Sequence, residues 1–474
     1  MRKTFALLVA VVMMAATMQA QTREIHILSG NDLHANIDNM PMLAAIADSL
    51  RGIDNQLLVF SAGDNRTGNP VNDLYSIPTY PMTALMNFIG FDASAFGNHE
   101  FDNKQKGLST VLATSNFPYI CANMKADDEL NVHPLPYKIF EIEGVKIGVL
   151  GVVQLVAHDI PDAHPDYLVG MHFSPVEETI KQYLWLRDKV DLFILLSHIG
   201  YEDDVKMALQ FPAFDLIIGG HTHTQLKGGE MHNGVLVTQN VNKLKRVTHI
   251  TVKMENGKVV DKKAENIQVE GYPRKNAVAQ AMVDFFNNNP EFHRQLATAN
   301  EFKELEELGC LMCDAIISET GADLSLQNYG GVRISEKEAG PFTVSDVLRL
   351  DPFGNPCIEM NITGEEFKKM LVSCYETSEG YFPFIGGAKC EVRFDKNDTT
   401  RIADIKLFTL DGKKLNMKKK YKVVTNSYVA AICDSPRSDQ GRDTGLVCSD
   451  MLMRFLEKKG FVDYLGTKRV TFVK

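Results

Sequence analysis

Five short polar clusters in the first half of the chain carry residue types that bind metal ions and move protons. They are Gly30-Asn31-Asp32-Leu33-His34, Ser61-Ala62-Gly63-Asp64, Gly97-Asn98-His99-Glu100-Phe101-Asp102, Ser197-His198 and Gly219-Gly220-His221-Thr222-His223. Carboxylates, imidazoles and amide oxygens suit zinc, manganese or iron. Asp32 and His34 are two residues apart, as are His221 and His223, so each pair can point to one side of a strand end. The glycines before Asp64, Asn98 and His221 permit tight turns out of a strand. Asp32, His34, Asp64, Asn98, His198, His221 and His223 are the candidate ligands. They are too many for one tetrahedral ion. Two divalent ions (zinc, manganese or similar) sharing one carboxylate divide the set evenly. Such a pair, roughly 3.5–4 Å apart, activates water and clamps the oxygens of an in-line displacement. Taken singly, His198 also reads as a satisfied core histidine, Asp64 as a turn residue and Asn98 as a cap. The recurrence of one chemistry at five places is what points to metal.

Something must bring these clusters together. Residues 25–29, 57–60, 93–96, 193–196 and 216–218 are short apolar runs, each ending where a cluster begins. Continuous runs of this kind read as strands buried on both faces. In α/β sheets ligands bind beyond the carboxyl ends of the strands, so a single edge would collect all five clusters. Helical periodicity covers 40–51, 79–90 and 175–188. Hairpins are predicted over 138–153, about Glu143-Gly144, and over 248–269, about Asn256-Gly257. The fold class is α/β, a layered sheet domain over 21–270 with helices on its outer faces. Residues 271–304 read as an interdomain helix or linker, broken at Asn287-Asn288-Asn289-Pro290. A smaller α+β domain is predicted over 305–474, with helices at 308–319 and 364–375. Strands follow at 388–394, 402–409 and 421–426, with a turn at Asp411-Gly412.

The composition, 45% apolar and 23% charged over 474 residues, excludes a disordered or fibrous chain and suits two cores. A net charge of −10 argues against a nucleic-acid polymer or an anionic membrane surface as partner. Arg2 and Lys3 precede an apolar run over 5–14, and small residues lead to Ala20-Gln21. This is the pattern of a cleaved signal peptide over 1–20. It predicts export to the periplasm or the exterior, with no membrane span in the mature chain. The eight cysteines are scattered, mostly in the second half. Cys310 and Cys313 fall on a predicted helix. Buried thiols, or one or two disulfides, fit this usage better than a zinc or redox role.

Read in order, DLH, GD, GNHEFD, the lone His198 and GGHTHT resemble the motif set of the calcineurin-like metallophosphoesterases. The second half contains Asn328-Tyr329-Gly330-Gly331-Val332-Arg333 and Asp351-Pro352-Phe353-Gly354-Asn355. With these, nearly all the mature chain resembles the periplasmic and extracellular 5'-nucleotidase family. The resemblance implies a calcineurin-like metallophosphoesterase domain followed by a 5'-nucleotidase C-terminal, substrate-binding domain. It implies that Asp32, His34, Asp64 and His223 hold one metal, and Asp64, Asn98, His198 and His221 the other. It implies that His99, oriented by Asp102, stabilises the phosphoryl transition state and is not a ligand. On the substrate side it implies contacts from Asn328, Gly331 and Arg333, and a base clamped between two aromatics. The first of these would be Phe382 or Phe384.

Two stretches depart from the family pattern. Residues 433–443 hold no aromatic where the second ring is expected, and Glu304-Leu305-Glu306-Glu307 is acidic where relatives carry an Arg. Both departures fall on substrate recognition and neither on the metals. The combined reading is an exported dinuclear phosphoesterase. It would hydrolyse a small-molecule phosphate monoester, foremost a 5'-nucleotide, by attack of metal-activated water on phosphorus. The nearest alternative keeps the chemistry and takes a nucleotide sugar, a cyclic nucleotide or a non-nucleotide ester. The alternative from another class is a non-catalytic exported metal-containing binding protein, against which the His99–Asp102 pair argues.

Overall fold

The computed structural model describes residues 22–378 and 380–473. The signal peptide expected over 1–20 lies outside them. The first half is a sandwich of two six-stranded sheets. In one, the strands Thr22–Gly30, Leu58–Ser61, Ala93–Ala95 and Tyr119–Ile120 run parallel, and the hairpin Arg246–Glu255 with Lys258–Gln268 closes the edge. In the other, Val145–Val153, Leu192–His198, Leu216–Ile218 and Val235–Thr238 run parallel between antiparallel edge strands.

Side chains that alternate along each strand serve two cores. Ile27, Leu58, Phe60, Ile194 and Leu196 meet between the sheets. Their neighbours Leu28 and Val59 face the helices Met40–Arg51, Tyr80–Ile89 and Ala277–Phe286. Phe193 and Leu195 face Val176–Tyr183 and Tyr201–Gln210 on the opposite side. Continuous apolar runs were thus a sound signal for burial on both faces. They carried no sign that the strands divide between two sheets. Because the central strands are parallel, Gly30, Ser61, Ala95, His198 and Ile218 all end at one rim.

The stretch 271–304 does not act as one connector. Ala277–Phe286 packs on the first half, with Val283 and Phe286 in the core of its outer helices. Gln295–Ala299 is a strand of the second half, paired with Gly340–Thr343 and Phe461–Val462. The second half centres on a mixed five-stranded sheet. Its order is Phe384–Gly386, Leu324–Gln327, Lys420–Asn426, Pro356–Thr363 and Arg442–Val447. Helices Leu305–Thr320 and Gly364–Thr377 cover it. The acidic run before Gly309 has a structural use. Glu307 accepts the backbone N–H groups of Lys303 and Gly466 at 2.7 and 2.6 Å, and Glu306 accepts those of Arg469 and Val470. These carboxylates cap a helix and fasten the chain's last strand. No helix among the described residues is long and apolar enough to cross a membrane. All eight cysteines are buried thiols, and burial raises Cys310 to about 12, far from the range of a reactive thiolate.

Asp204, in the helix Tyr201–Gln210, is buried beneath the rim and accepts from Ser197 Oγ at 2.6 Å. Burial raises its carboxyl to about 8, against the pull of Ser197 and His198. The folded chain therefore binds one more proton than the unfolded chain between about pH 4 and 8, and stability falls as pH rises across that window. Asp204→Asn is expected to raise the melting temperature relative to wild type at pH 8 and to converge with it near pH 4. A pH-independent difference would contradict this.

Candidate active site

The site is made at the rim, where three of the strands give way to turns that side chains do not favour. Asp32, His34, Asp64, His221 and His223 all have left-handed backbone, with φ of 51°, 46°, 54°, 80° and 55°. Non-glycine residues in this region cost on the order of 1 kcal/mol each or more. Neighbouring hydrogen bonds hold them. Asp32 N donates to Gly63 O at 3.0 Å and His34 N to Asp64 O at 2.9 Å, so the first two loops brace each other. Glycines let the loops close: a Cβ on Gly97 would lie 2.1 Å from Asp64 Oδ1, and one on Gly63 2.9 Å from His198 Nδ1.

The seven candidate ligands converge. Asp32 Oδ1 lies 3.2 Å from His223 Nε2, which is 3.3 Å from His34 Nε2. Asp64 Oδ2 lies 3.3 Å from His198 Nε2, and Asn98 Oδ1 is 3.1 Å from His221 Nδ1. The rings of His198 and His221 are 5.3 Å apart. Three overlapping groups bring their ligand atoms within 4.8 Å of one another: Asp32 with His34 and His223, Asp32 with Asp64 and His198, and His34 with Asp64 and His99. Asp32 and Asp64 each belong to two of these groups.

Burial alone would push Asp32 and Asp64 toward the neutral acid. Instead His223 and His198 beside Asp32, and His198 and His99 beside Asp64, hold both carboxyls below their usual range. In return, against the cost of burial, Asp64 and Asp32 raise His198 to about 10. His198 Nδ1 donates to Ala62 O at 2.6 Å, and its buried Nε2 points between Asp64 Oδ2 at 3.3 Å and Asp32 Oδ1 at 3.9 Å. Such an imidazole, oriented through Nδ1 and with Nε2 aimed between two carboxylates, is arranged as a metal ligand. The donor set of carboxylate, imidazole and amide oxygen fits divalent cations.

His99 stands beside this group. Its Nδ1 is 2.8 Å from Asp102 Oδ2, and its Nε2 is 4.0 Å from Asp64 Oδ2. Burial disfavours its charge, but Asp64 and Asp102 outweigh burial and the nearby Arg333, leaving the imidazole above its ordinary pKa. Asp102 also accepts from Thr67 Oγ1 at 2.6 Å, which fixes the carboxylate that orients the ring.

Two residues behind the site were not singled out from the sequence. Glu100 accepts three backbone N–H groups, from Gly97 at 2.6 Å, Asp64 at 2.9 Å and Asn65 at 2.8 Å. It ties the Asp64 loop to the Asn98 loop. Burial and the adjacent Asp64 raise it to about 7. Its signal was present as a carboxylate three residues after a glycine cap. Arg66, 4% exposed, donates to Thr79 Oγ1, His99 O and Asn103 Oδ1 behind His99. No local pattern distinguishes it from a surface arginine.

The second half meets the rim across a partly open cavity whose walls include His99, Asp102, Asn328, Gly331, Arg333 and Phe353. Arg333 Nη2 reaches to 3.3 Å from His34 Nε2, and the Arg333 carbonyl accepts from Lys243 Nζ at 2.9 Å. Phe353 stacks on His99 with ring centres 5.9 Å apart. Phe382 and Phe384 do not reach this cavity. Phe384 fills the slot left by Gly309, where a Cβ would lie 2.2 Å from its ring, and Phe382 packs against Tyr375 and Phe472. Phe384 also stacks on Tyr329 with ring centres 5.8 Å apart, and Phe353 is the phenylalanine on the wall of this cavity. Nor do Arg437 and Arg442, of the segment without aromatics, line it: Arg437 donates to Ala430 O and Arg442 pairs with Glu359.

A two-sheet sandwich with a carboxylate–imidazole cluster on its rim defines a metallophosphoesterase-type hydrolase. Comparison with known proteins agrees. The calcineurin-like phosphoesterase family profile matches residues 25–225, and the profile of the 5'-nucleotidase C-terminal domain matches 277–435. The chain is 27% identical to Protein UshA of Yersinia enterocolitica, over 94% of this chain and 92% of that one. It is 25% identical to the trifunctional nucleotide phosphoesterase protein YfkN of Bacillus subtilis over 92% of this chain, and spans 34% of that protein's length. A 5'-nucleotidase precursor from Thermus thermophilus superposes with a TM-score of 0.84 at 22% identity, covering 95% of this chain and all of the other. The chain belongs to the 5'-nucleotidase family of metallophosphoesterases.

A cation held by His198 would require loss of its Nε2 proton, which would couple metal binding to proton release. Titrating chelator-treated protein with Mn²⁺ or Zn²⁺ near pH 7.5, in two buffers of different ionisation enthalpy, is expected to release about one proton or more per chain. Binding with no proton released would contradict the arrangement described for His198.

Proposed function

We propose that this chain is an exported hydrolase with two divalent metal ions that converts 5'-nucleotides to nucleosides and phosphate. The observation that carries the reading is a cavity walled by His99 and Asp102 from the first half and by Arg333, Asn328 and Phe353 from the second, beside the carboxylate–imidazole cluster that Arg333 reaches at His34. Asp32, His34, Asp64 and His223 would hold one cation, and Asp64, Asn98, His198 and His221 the second. When bound, such ions lower the pKa of water and neutralise charge on phosphoryl oxygens.

The chain's own groups do the rest. Arg333 offers a planar fork to phosphate oxygens, and its contact with His34 sets it at the rim. His99, whose pKa Asp64 and Asp102 raise, would present Nε2 to the departing ester oxygen, and the carboxylate on Nδ1 holds the ring in that orientation. Phe353 covers the other face of His99 and supplies an apolar surface for the organic part. Glu100 fixes the distance between the Asp64 and Asn98 loops. Export rests on residues 1–20, and the mature chain would begin at Gln21.

A second reading has one observation in its favour. The phenylalanine and tyrosine rings on the cavity wall are Phe353, Tyr167 and Tyr428, with neither Phe382 nor Phe384 among them, so the organic part need not be a base clamped in the family's manner. A panel of phosphoesters (nucleotides, nucleotide sugars, cyclic nucleotides and sugar phosphates), assayed with metal-reconstituted protein, separates the readings. Highest kcat/KM on 5'-nucleotides supports the proposal, and preference for a phosphoester without a base overturns it. His99→Ala is expected to keep its metal and lose roughly 10²–10⁴-fold in kcat; unchanged kcat removes His99 from the mechanism. Arg333→Ala is expected to raise KM about 10–100-fold, more than it lowers kcat. Wild-type kinetics would contradict the assigned substrate wall.

A further inference from the structure

Two of the eight buried cysteines meet beneath the cavity. Cys357 lies in the strand Pro356–Thr363 and Cys448 opens the helix Cys448–Lys459. Their sulfurs are 3.0 Å apart, about 1 Å more than a disulfide bond. Backbone pairing builds this approach. Pro356 is the strand partner of Val447, so the residue before each cysteine sits opposite the other. Cys448 N donates to Asn355 O at 3.2 Å, and Thr444 Oγ1 donates to Cys357 O at 2.9 Å.

The place matters because of what it anchors. Residues 351–355 form the loop that carries Phe353 and Asn355 to the cavity wall. At its far root Asp351 is buried and keeps one carboxylate oxygen without a hydrogen-bond partner. The near root is the junction of 355–357 with 447–448. Cys374 and Cys433 also touch, but they pack in the apolar core with Leu371 and Ile432 and join no loop of the cavity.

We propose that Cys357 and Cys448 form a disulfide in the oxidised protein, fastening the loop that holds Phe353 and Asn355 against the site. One thiolate attacks a disulfide donor such as oxidised glutathione and releases one glutathione thiolate. The second thiolate then displaces the other. The Sγ–Sγ bond forms, both cysteine protons leave, and two electrons convert glutathione disulfide to two glutathiones. Cys357 is 0% and Cys448 4% exposed, so the exchange takes place during folding, before the helix closes over the strand. Joining residues 91 apart also restricts the unfolded chain. An exported chain would meet such an oxidant.

The bond itself does not depend on the proposed substrate; its effect on KM does. The full chain is folded in a glutathione redox buffer, denatured, alkylated without reduction, digested and mapped by mass spectrometry. A peptide joining Cys357 to Cys448, two hydrogens lighter than the sum of its parts, is expected. Alkylation of both cysteines in the unreduced sample overturns the proposal. Reductant should lower the melting temperature of wild type by on the order of 5 °C and leave Cys357→Ala/Cys448→Ala unmoved; equal shifts in both overturn it as well. With a nucleotide substrate the double variant should raise KM several-fold with kcat nearly unchanged. A mapped bridge with unaltered KM refutes the loop-fastening role, whereas absence of turnover in every sample tests the substrate assignment and leaves the mapping result standing.

Discussion

The site depends on two buried carboxylates that cannot both remain charged without a cation. Asp32 and Asp64 are 0% and 2% exposed, in surroundings where an isolated ionised carboxyl is strongly disfavoured. The histidines around them answer that demand, and His198 carries most of it for Asp64. A proton on an imidazole is one way to satisfy the pair, and a divalent ion is a stronger one. Much of the geometry follows from keeping this pair together: left-handed turns at five ligands, glycines where a methyl would strike Asp64 or His198, and Glu100 binding two loops through three backbone amides.

The sandwich makes such strain tolerable. Parallel strands fixed on both faces by apolar packing give the loops rigid roots, so the unfavourable backbone at Asp32 or His221 is over-determined by the sheets beneath it. The second half contributes little to the cation demand. It supplies Arg333, which lowers the pKa of His34 beyond the effect of burial, and Phe353, which rests on His99. The charged cluster and Arg333 thus come from different halves of the chain and meet at His34.

What could be read from the sequence follows this division. The ligands were legible because a strand-end turn, a glycine and a carboxylate or imidazole recur together, as at Gly63-Asp64 and Gly97-Asn98. The helices Met40–Arg51 and Gly364–Thr377, and the hairpin at Asn256-Gly257, were legible from periodicity and turn chemistry. Arg66 was not, because its role is to bind groups distant in the chain. Phe382 and Phe384 were assigned to the substrate from family resemblance. An apolar ring carries no mark of which side of a sheet holds the cavity, and Phe384 packs against Gly309. The division of 271–304 between two cores was hidden for a similar reason: its helix is amphipathic whichever half it packs on.

Anomalous diffraction from crystals grown with Mn²⁺ tests the central claim most directly. Two peaks are expected at the rim, roughly 3.5–4 Å apart, with Asp64 touching both and His198 Nε2 on one. A single peak away from Asp64, or no peak between Asp64 and His198, would contradict the account.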